Sequence, residues 1–183
     1  MARTITAELF ASLDLVVEAP ETWHFDWVSD EMLAEVAQEQ GEASALLLGR
    51  RTYEVFAGSW PDRGDEVPLA RRLNAMPKTV VSSSLHAPTW HNTEVARFGD
   101  LAAMKERGEG RITVAGSIRL VESLIAAGLL DELRILTHPA ILGSGRRLFD
   151  TYTGPRVDLD LVEARTLERG VQLTIHRPTT RNE

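Results

Sequence analysis

Three segments of this 183-residue chain place glycine, arginine or hydroxyl-bearing residues at points where an apolar run ends. Glycine lets a ligand approach the main chain closely, hydroxyl and N–H groups donate hydrogen bonds, and arginine binds two phosphate oxygens at once. One such segment is common by chance, but three in one domain favour a site for a phosphorylated nucleotide. The residues concerned are Gly49, Arg50, Arg51, Thr52, Ser82, Ser83, Ser84, Gly116, Ser117, Ile118 and Arg119.

The third of these segments also marks a change of hydrophobic period. Residues 112–115 alternate as in a strand, whereas from Ile118 the apolar residues recur at the spacing of a helix. A strand that becomes a helix through Gly116-Ser117 leaves the first helical N–H groups uncovered, and such a terminus binds anions. The alternative is that Ser117 is an ordinary N-cap and Gly116 a tight turn. The segment alone leaves both interpretations open.

Other reaction chemistries find little support in the sequence. The chain has no cysteine, which excludes disulfides, thiolate nucleophiles and cysteine-ligated metals. Its five histidines lack the spacing of a metal site, His86 and His91 being the nearest pair, and we expect no metal. The sequence also contains neither a Gly-x-Ser-x-Gly elbow nor a Walker loop, so nothing indicates a hydrolase or a kinase.

Length and charge limit the class of protein. We expect one domain over residues 1–183, with a tail that is disordered from about residue 178. A net charge of −7 argues against a general nucleic-acid binder, and no apolar run is long enough to cross a bilayer. Glu8 and Asp14 interrupt the N-terminal segment where a signal peptide would be apolar. We therefore expect a cytoplasmic protein with no nucleic-acid or membrane partner.

The elements that must position the three segments alternate between strand and helix. Periodicity predicts a first strand over 3–11, a helix from about 30 to 40 with Ser29 as N-cap and Gly41 as its stop, and a final hairpin through Arg169-Gly170. Further strands are predicted in "ASALLLG", "KTVVSSSL", "TEVAR", "RITVAG" and "DELRILTHPAIL", and further helices in "RRTYEVFAG", "DEVPLARRLNAM", "DLAAMKERG" and from Ile118. This order indicates a three-layer α/β sandwich with a mostly parallel central sheet and a C-terminal antiparallel hairpin. Ligands of such sheets bind at the carboxyl ends of the strands, where the three segments lie.

Trp23, Phe25 and Trp27 form an aromatic stripe in the loop before the first predicted helix. Such a stripe suits stacking against a flat substrate, and it is also a common pattern of ordinary packing. The sequence leaves these two interpretations open.

Five stretches, taken together and in order, resemble a known family. They are "ASLDLVV", "LLLGRRTYEVF", "MPKTVVSSS", "ITVAGSIRLVESL" and "DELRILTHPAILGSGRRLF". The chain resembles the dihydrofolate reductase-like superfamily, and within it the bacterial branch related to the reductase domain of riboflavin biosynthesis. The resemblance implies a dihydrofolate reductase-like fold and a reductase that passes hydride from NADPH to a small heterocyclic or carbonyl-like substrate.

The resemblance also assigns roles on the cofactor side. Residues 49–52 resemble the loop beneath the adenosine phosphates, and Ser83, Ser84 and Arg119 resemble the group that holds the 2′-phosphate and adenine side. Gly116 and Ser117 resemble the paired glycines at the pyrophosphate, although the second is serine here. Val17 resembles the position whose main chain faces the nicotinamide amide.

On the substrate side the resemblance offers two catalytic carboxylates. Asp14 matches an acid of the riboflavin-like branch that would contact substrate, although Leu15 follows where that branch has glycine. Asp30 or Glu31 lies where the folate-reducing branch has a substrate-anchoring carboxylate. Acids at a helix start are also favoured by the helix dipole alone. Asp14 and Asp30 therefore remain equal candidates.

Two further expectations concern activity and assembly. The alternative to a reductase is a catalytically inactive member of the same fold that binds a ligand or a partner, because fold alone does not fix function. Relatives of this branch tend to be homodimers, and the run "LVESLIAAGLLDELRIL" offers more apolar surface than one small sheet needs. We therefore expect a homodimer.

Overall fold

The computed structural model describes residues 2–64 and 66–179 and contains a mixed eight-stranded sheet. Most of the tail predicted to be disordered lies outside the described residues. The strands are β1 (Thr4–Ser12), β2 (Ala43–Gly49), β3 (Lys78–Val81), β4 (Thr93–Ala96), β5 (Arg111–Ala115), β6 (Glu132–His138), β7 (Leu159–Thr166) and β8 (Gln172–Pro178). The helices are α1 (Asp30–Glu42), α2 (Arg50–Ala57), α3 (Pro68–Ala75), α4 (Leu101–Glu106) and α5 (Ile118–Ala126), with short 3₁₀ turns at 20–22, 25–27, 98–100 and 168–170.

The strand order is β4-β3-β2-β5-β1-β6-β8-β7. All pairs from β4 to β6 are parallel, whereas β8 runs antiparallel to both β6 and β7. The predicted terminal hairpin is confirmed, and its turn places Arg169 and Gly170 at φ 59° and 79°. The predicted α/β fold with a mostly parallel sheet is therefore correct.

Helices cover both faces of the sheet. Alternate residues of β1 and β2 point to opposite faces, so that Ala7 and Leu47 pack with α4 and α5 while Leu46 packs with α2 and α3. Met32 of α1 packs on the same face as α2 and α3, against β6 and β8. The connections leaving β1 and β2 therefore cross one face and those leaving β4 and β5 cross the other. Ligands of such sheets bind where the crossings change face, which here is at the carboxyl ends of β2, β5 and β1.

The apolar run expected to form a dimer surface is used inside the molecule instead. Leu120, Val121, Leu124 and Ile125 of α5 and the following Leu130 are buried in the core. Exposed apolar side chains are scattered over the surface, and three of them, Leu159, Leu161 and Val162, share the edge strand β7, whose residues are exposed on both faces. The argument for a homodimer from that run was wrong, because tertiary packing buries these apolar side chains within the chain itself.

The start of α1 is as the sequence predicts, whereas the helix ends later than predicted. Ser29 caps the helix by accepting a hydrogen bond from the Met32 amide at 3.2 Å. The helix runs through Gly41 to Glu42, so the predicted stop was early. Gly41 has open space around its Cα and a negative φ, so it does not force a turn there.

Charged side chains are buried between α1 and the sheet. The Arg134 guanidinium lies 3.4–3.6 Å from the carboxylates of Glu8, Glu35, Glu39 and Glu132. Burial raises the pKa of Glu8 to about 7, because loss of solvation outweighs the attraction of Arg134. The main-chain carbonyl of Glu8 accepts a weak hydrogen bond from the Gly116 amide at 3.4 Å. Glu8 thus connects this buried layer to the turn after β5.

Within residues 2–64 and 66–179 no helix has the length and apolar character needed to span a bilayer. The same residues contain no cluster of three or more histidines or acids that would hold a metal ion.

Candidate nucleotide and substrate site

The carboxyl ends of β2 and β5 are joined by one side-chain hydrogen bond. The Gly49 amide donates to Ser117 Oγ at 2.9 Å, across 68 positions of sequence. Gly49 precedes α2 and Ser117 precedes α5, so the bond connects the starts of two helices that cover opposite faces of the sheet. A Cβ at position 49 would lie 3.4 Å from Ser117 Cβ and Oγ. This is ordinary van der Waals contact, so the approach of the two segments does not itself require glycine.

The conformation of Ser117 contradicts the interpretation of this residue as an ordinary side-chain N-cap. Gly116 and Ser117 are both left-handed, at φ 60° and 62°, and the Ser117 side chain does not cap α5. Its hydroxyl contacts the other strand instead. The first turn of α5 therefore lacks a side-chain cap, as does that of α2. Two uncapped helix N-termini at neighbouring strand ends present N–H groups suited to phosphate oxygens.

The end of β3 joins this group through Arg50. Its Nη1 donates to Ser84 Oγ at 2.7 Å, and its Nε donates to Glu54 at 2.7 Å. Ser82 Oγ accepts from the amides of Ser84 and Leu85, which fixes the turn after β3. Arg50 and Ser84 are exposed. A cation and a hydroxyl thus stand together at the rim, where they are accessible to an anionic ligand.

The remaining predicted cofactor residues are arranged more loosely. Thr52 contacts the Gly116 turn, with its Cγ2 3.5 Å from where a Cβ at position 116 would lie. Ile118 packs partly against the core, while Arg51 and Ser83 are exposed. Arg119 is exposed in the first turn of α5. The structure brings the β2, β3 and β5 ends together, and the hydrogen bonds of the Arg50–Ser84 pair do not include Arg119.

The loop after β1 is tied to the segment 143–147. Val17 is buried, and its amide donates to the Arg146 carbonyl at 3.0 Å. Glu18 accepts from the Arg146 amide at 3.1 Å and from Arg146 Nε at 3.0 Å, and these bonds lower the pKa of Glu18. Because Val17 donates within the protein, only its carbonyl is available to a nicotinamide amide.

Asp14 is held by four donors. Its Oδ1 accepts from Ser12 Oγ at 2.7 Å and from the Leu142 amide at 3.1 Å, and its Oδ2 accepts from the Gly143 amide at 2.9 Å and Arg147 Nη2 at 3.3 Å. The Ser12 hydroxyl and the Leu142 amide hold the pKa of Asp14 well below its ordinary range. The carboxylate is ionised at neutral pH, and it fixes the loop after β1 to the segment 142–147.

Asp30 has the opposite surroundings. It is the first residue of α1 and is exposed, and no group within residues 2–64 and 66–179 hydrogen-bonds to its side chain. The neighbouring Glu31 accepts from the Glu168 amide at 2.7 Å and so belongs to the contact between α1 and the terminal hairpin. Met32 is the first residue of α1 with a buried side chain.

Sequence reasoning missed a buried imidazole at the end of β6. His138 pairs with Ser12 at the end of β1 and is fully buried. Its ring is surrounded by Phe10, Trp23, His24 and Trp27, with centroids 5.3–6.1 Å away. The one available signal was a histidine inside the predicted strand "DELRILTHPAIL", directly before Pro139, which ends the strand near the edge where ligands bind.

The aromatic stripe divides between two environments. Trp23 and Trp27 pack around His138, whereas Phe25 is 64% exposed. Trp23 is further held by a hydrogen bond from its Nε1 to the Glu18 carbonyl at 3.0 Å.

Comparison with known proteins identifies the family of the chain. Residues 3–173 match the RibD C-terminal domain. The chain belongs to that family. This RibD C-terminal domain is 25% identical over 182 residues to the uncharacterized protein YyaP of Bacillus subtilis strain 168, a match that covers 95% of each chain.

Solved structures share the fold of this RibD C-terminal domain at low sequence identity. A riboflavin biosynthesis protein from Shewanella sp. PV-4 aligns with a TM-score of 0.70 at 16% identity, over 98% of this chain and 100% of that one. The deaminase/reductase of Thermotoga maritima aligns with a TM-score of 0.71 at 16% identity, over 97% of this chain and 57% of that one. Dihydrofolate reductase from Enterococcus faecalis, complexed with NADP(H), aligns with a TM-score of 0.65 at 15% identity, over 98% of this chain and 100% of that one.

Proposed function

We propose that this RibD C-terminal domain is an NADPH-dependent reductase that transfers hydride to a small heterocyclic substrate. Its family and structural neighbours are reductases of the riboflavin and dihydrofolate kinds, which supports an oxidoreductase. The observation that carries the proposal is the pairing of two uncapped helix starts through the Gly49–Ser117 hydrogen bond.

The residues at these strand ends carry donors and a positive charge that suit the phosphates of NADPH. The N–H groups at the starts of α2 and α5 would bind the pyrophosphate, with Gly49, Thr52, Gly116, Ser117 and Ile118 shaping the turns around it. Arg50 and Ser84 would bind the 2′-phosphate, with Arg51, Ser82, Ser83 and Arg119 along the same rim. The Val17 carbonyl would accept from the nicotinamide amide. When bound, the dihydronicotinamide supplies a hydride.

The substrate side needs groups that position the acceptor and deliver a proton. Because Asp14 is ionised and its oxygens already accept four hydrogen bonds, its role is to hold the loop and impose a negative charge beside the substrate. Asp30 is the accessible carboxylate, so it is our candidate for an ionised acceptor that anchors a substrate N–H group. The proton would then come from water or from another group near the pocket.

Calorimetric titration with NADPH and NADH tests the cofactor. We expect NADPH to bind more tightly, because only its 2′-phosphate would contact Arg50 and Ser84. Equal affinities would contradict the assignment. A substrate screen that follows absorbance at 340 nm then tests the activity. NADPH binding without turnover of any heterocycle would favour the alternative, a catalytically inactive binding member of the family.

Assembly and location belong to the same proposal. We propose a homodimer formed through the edge strand β7, whose Leu161 is 59% exposed and whose Leu159 and Val162 are also exposed. Light scattering should give twice the chain mass of 20.3 kDa, and Leu161→Asp should give the monomer. A monomeric wild-type protein at micromolar concentration would contradict this. The cytoplasmic location stays a prediction.

A further inference from the structure

Three of the four carboxylates around Arg134 have a second arginine beside them. The three pairs are Glu35–Arg165, Glu39–Arg111 and Glu132–Arg177. Glu8 differs, because among the described residues its one ion pair is with Arg134, whose Nε lies 3.5 Å from Glu8 Oε2. This separation exceeds that of a charge-assisted hydrogen bond, and in the same part of the chain neither atom has a hydrogen-bond partner. Glu8 is therefore the least compensated carboxylate of the buried layer.

This geometry favours a neutral Glu8. The side chain is buried, and a buried carboxylate that lacks close donors is costly to ionise. The charged groups that face it, directly or through Arg134, are Glu35 and Glu39 of α1, Arg111 of β5, Glu132 and Arg134 of β6, and Arg165 and Arg177 of the terminal hairpin. Burial raises the pKa of Glu8 to about 7 against the attraction of Arg134, and repulsion from Glu39 and Glu35 adds to the rise. Glu8 therefore gains or loses its proton near neutral pH.

The main chain of Glu8 lies where β5 leaves the sheet. Glu8 and Ala115 are the last residues paired between β1 and β5, and on its other side Glu8 pairs with Arg134 of β6. Directly after Ala115 the Gly116 amide donates to the Glu8 carbonyl at 3.4 Å, which is a long and weak hydrogen bond. The turn that begins there is left-handed at both Gly116 and Ser117. The residue that carries the proton is therefore also the one that holds this turn to β1.

We propose that a proton on the Glu8 side chain holds the Gly116-Ser117 turn in its anion-binding conformation, so that binding of an anion at this turn takes up a proton. Ionised Glu8 needs a closer arginine or water, and the packed surroundings allow either one only if β1 shifts against its neighbours. Such a shift weakens the hydrogen bond to Gly116. A bound phosphate also disfavours a negative charge on Glu8, which acts in the same direction. The inference rests on the proposed function for its ligand, NADPH, and adds a pH-dependent control of that site.

The free protein tests the coupling between Glu8 and the turn without any ligand. The ¹⁵N–¹H resonance of the Gly116 amide and the ¹³C resonance of the Glu8 carboxyl are followed in the full-length protein from about pH 5 to about pH 9. We expect both resonances to change with one midpoint at about 7, while the amide of Gly128, after α5, shows no such midpoint. A Gly116 amide that does not follow the Glu8 carboxyl, or a Glu8 carboxyl that titrates near its ordinary value, would overturn the inference.

Two variants show whether Glu8 is the source of the change at Gly116. Glu8→Gln keeps the shape of the side chain and removes its titration, and Glu106→Gln, at an exposed position of α4, is the matched control. The Gly116 amide should lose its midpoint in Glu8→Gln and keep it in Glu106→Gln. A midpoint that persists in Glu8→Gln would overturn the inference. The shared midpoint of the wild-type resonances gives the answer even where Glu8→Gln fails to fold.

Calorimetry with NADPH tests the consequence for binding. Titrations near pH 7 in two buffers of different ionisation enthalpy measure the protons taken up, and we expect up to about half a proton more for the wild type than for Glu8→Gln. From about pH 6 to about pH 8 the affinity of the wild type should fall about 3- to 10-fold more than that of Glu8→Gln. The 2′-phosphate titrates equally in both proteins, so the difference belongs to Glu8. Equal proton uptake would overturn the inference. Failure to bind NADPH would instead overturn the proposed function, while the free-protein titration still decides the inference.

Discussion

The two halves of the carboxyl edge use different chemistry. Around β2, β3 and β5 the candidate ligand groups are main-chain N–H groups, hydroxyls and an exposed arginine, joined by the Gly49–Ser117 and Arg50–Ser84 hydrogen bonds. Around β1 and β6 the side chains are a carboxylate already held by four donors and a buried imidazole among aromatic rings. The first half suits an anion that forms many polar contacts, and the second is mostly aromatic and already paired within the chain.

Under the proposed function, this difference explains how one fold would keep a common cofactor side while the substrate side varies. Main-chain donors depend on the path of the backbone, so their positions follow from the topology of the sheet. Aromatic side chains and loop carboxylates depend on which residues occupy the loops, and loops vary more readily than strands. Substitutions in the two halves should therefore affect separate observables.

The largest expected effect is on the pH dependence of stability, and it comes from Glu8 in the buried layer beneath the two halves. Its pKa is raised to about 7 from an ordinary value of 4.5, so the stability present below pH 4.5 is lost as pH rises through 7. At about 1.4 kcal/mol per pKa unit this loss amounts to about 3 kcal/mol. Glu8→Gln should remove it, so that urea unfolding at pH 5 and pH 8 differs less than in the wild type.

The exposed Glu106 offers a matched control, and Glu106→Gln should keep the wild-type pH dependence. Cofactor selectivity should be unchanged in Glu8→Gln, because only the main-chain carbonyl of Glu8 contacts the Gly116 turn. Identical pH dependence of unfolding in the wild type and Glu8→Gln would show that Glu8 ionises normally.

Asp30→Asn separates substrate anchoring from helix stabilisation. If Asp30 anchors the substrate, turnover should fall about 10²-fold or more while NADPH affinity stays unchanged, because the shape remains and the charge is lost. Steady-state rates at 340 nm and calorimetry provide the two readouts. A helix-dipole acid would instead lose about 0.3–1 kcal/mol of stability and leave the rate alone.

Asp14→Asn is the parallel variant on the loop after β1. We expect its melting temperature and its turnover to fall together, because the amide cannot accept all four of the hydrogen bonds that the carboxylate accepts. Loss of turnover at an unchanged melting temperature would instead indicate direct contact of Asp14 with the substrate.

Arg50→Ala should narrow the preference for NADPH over NADH. The loss of one charge-assisted contact costs about 1.5–3 kcal/mol, which corresponds to roughly 10- to 150-fold in NADPH affinity. NADH affinity should hardly change. Arg71→Ala, at an exposed position of α3, serves as the control for removing a positive charge. An equal loss of affinity for NADPH and NADH would contradict a contact between Arg50 and the 2′-phosphate.

Ser117→Ala should give the smallest effect and should not alter selectivity. The variant removes the hydrogen bond between the starts of α2 and α5, which is worth about 0.5–1.5 kcal/mol. The affinities for NADPH and for NADH should therefore fall by the same factor of roughly 2 to 12. Ser123→Ala, in the exposed middle of α5, is the control. A loss of affinity for NADPH alone would instead indicate that Ser117 contacts the 2′-phosphate.

By itself the sequence determined the order of elements, the parallel sheet with its terminal hairpin, and the three strand ends that lie together. These features follow from local periodicity and from residue types whose effect is on their own backbone, such as Ser29 at the start of α1 and Gly170 in the hairpin turn. The strand order then places the segments after β2, β3 and β5 side by side.

Only the tertiary structure decided which side chains act on one another. Ser117 contacts Gly49 rather than capping its own helix, Asp14 is held by donors from residues 142–147, and His138 is enclosed by a loop more than a hundred residues earlier. The apolar run of α5 is buried while β7 stays exposed. Each of these outcomes depends on contacts between distant segments, and a side chain's partner, burial and pKa are set by those contacts rather than by its neighbours in sequence.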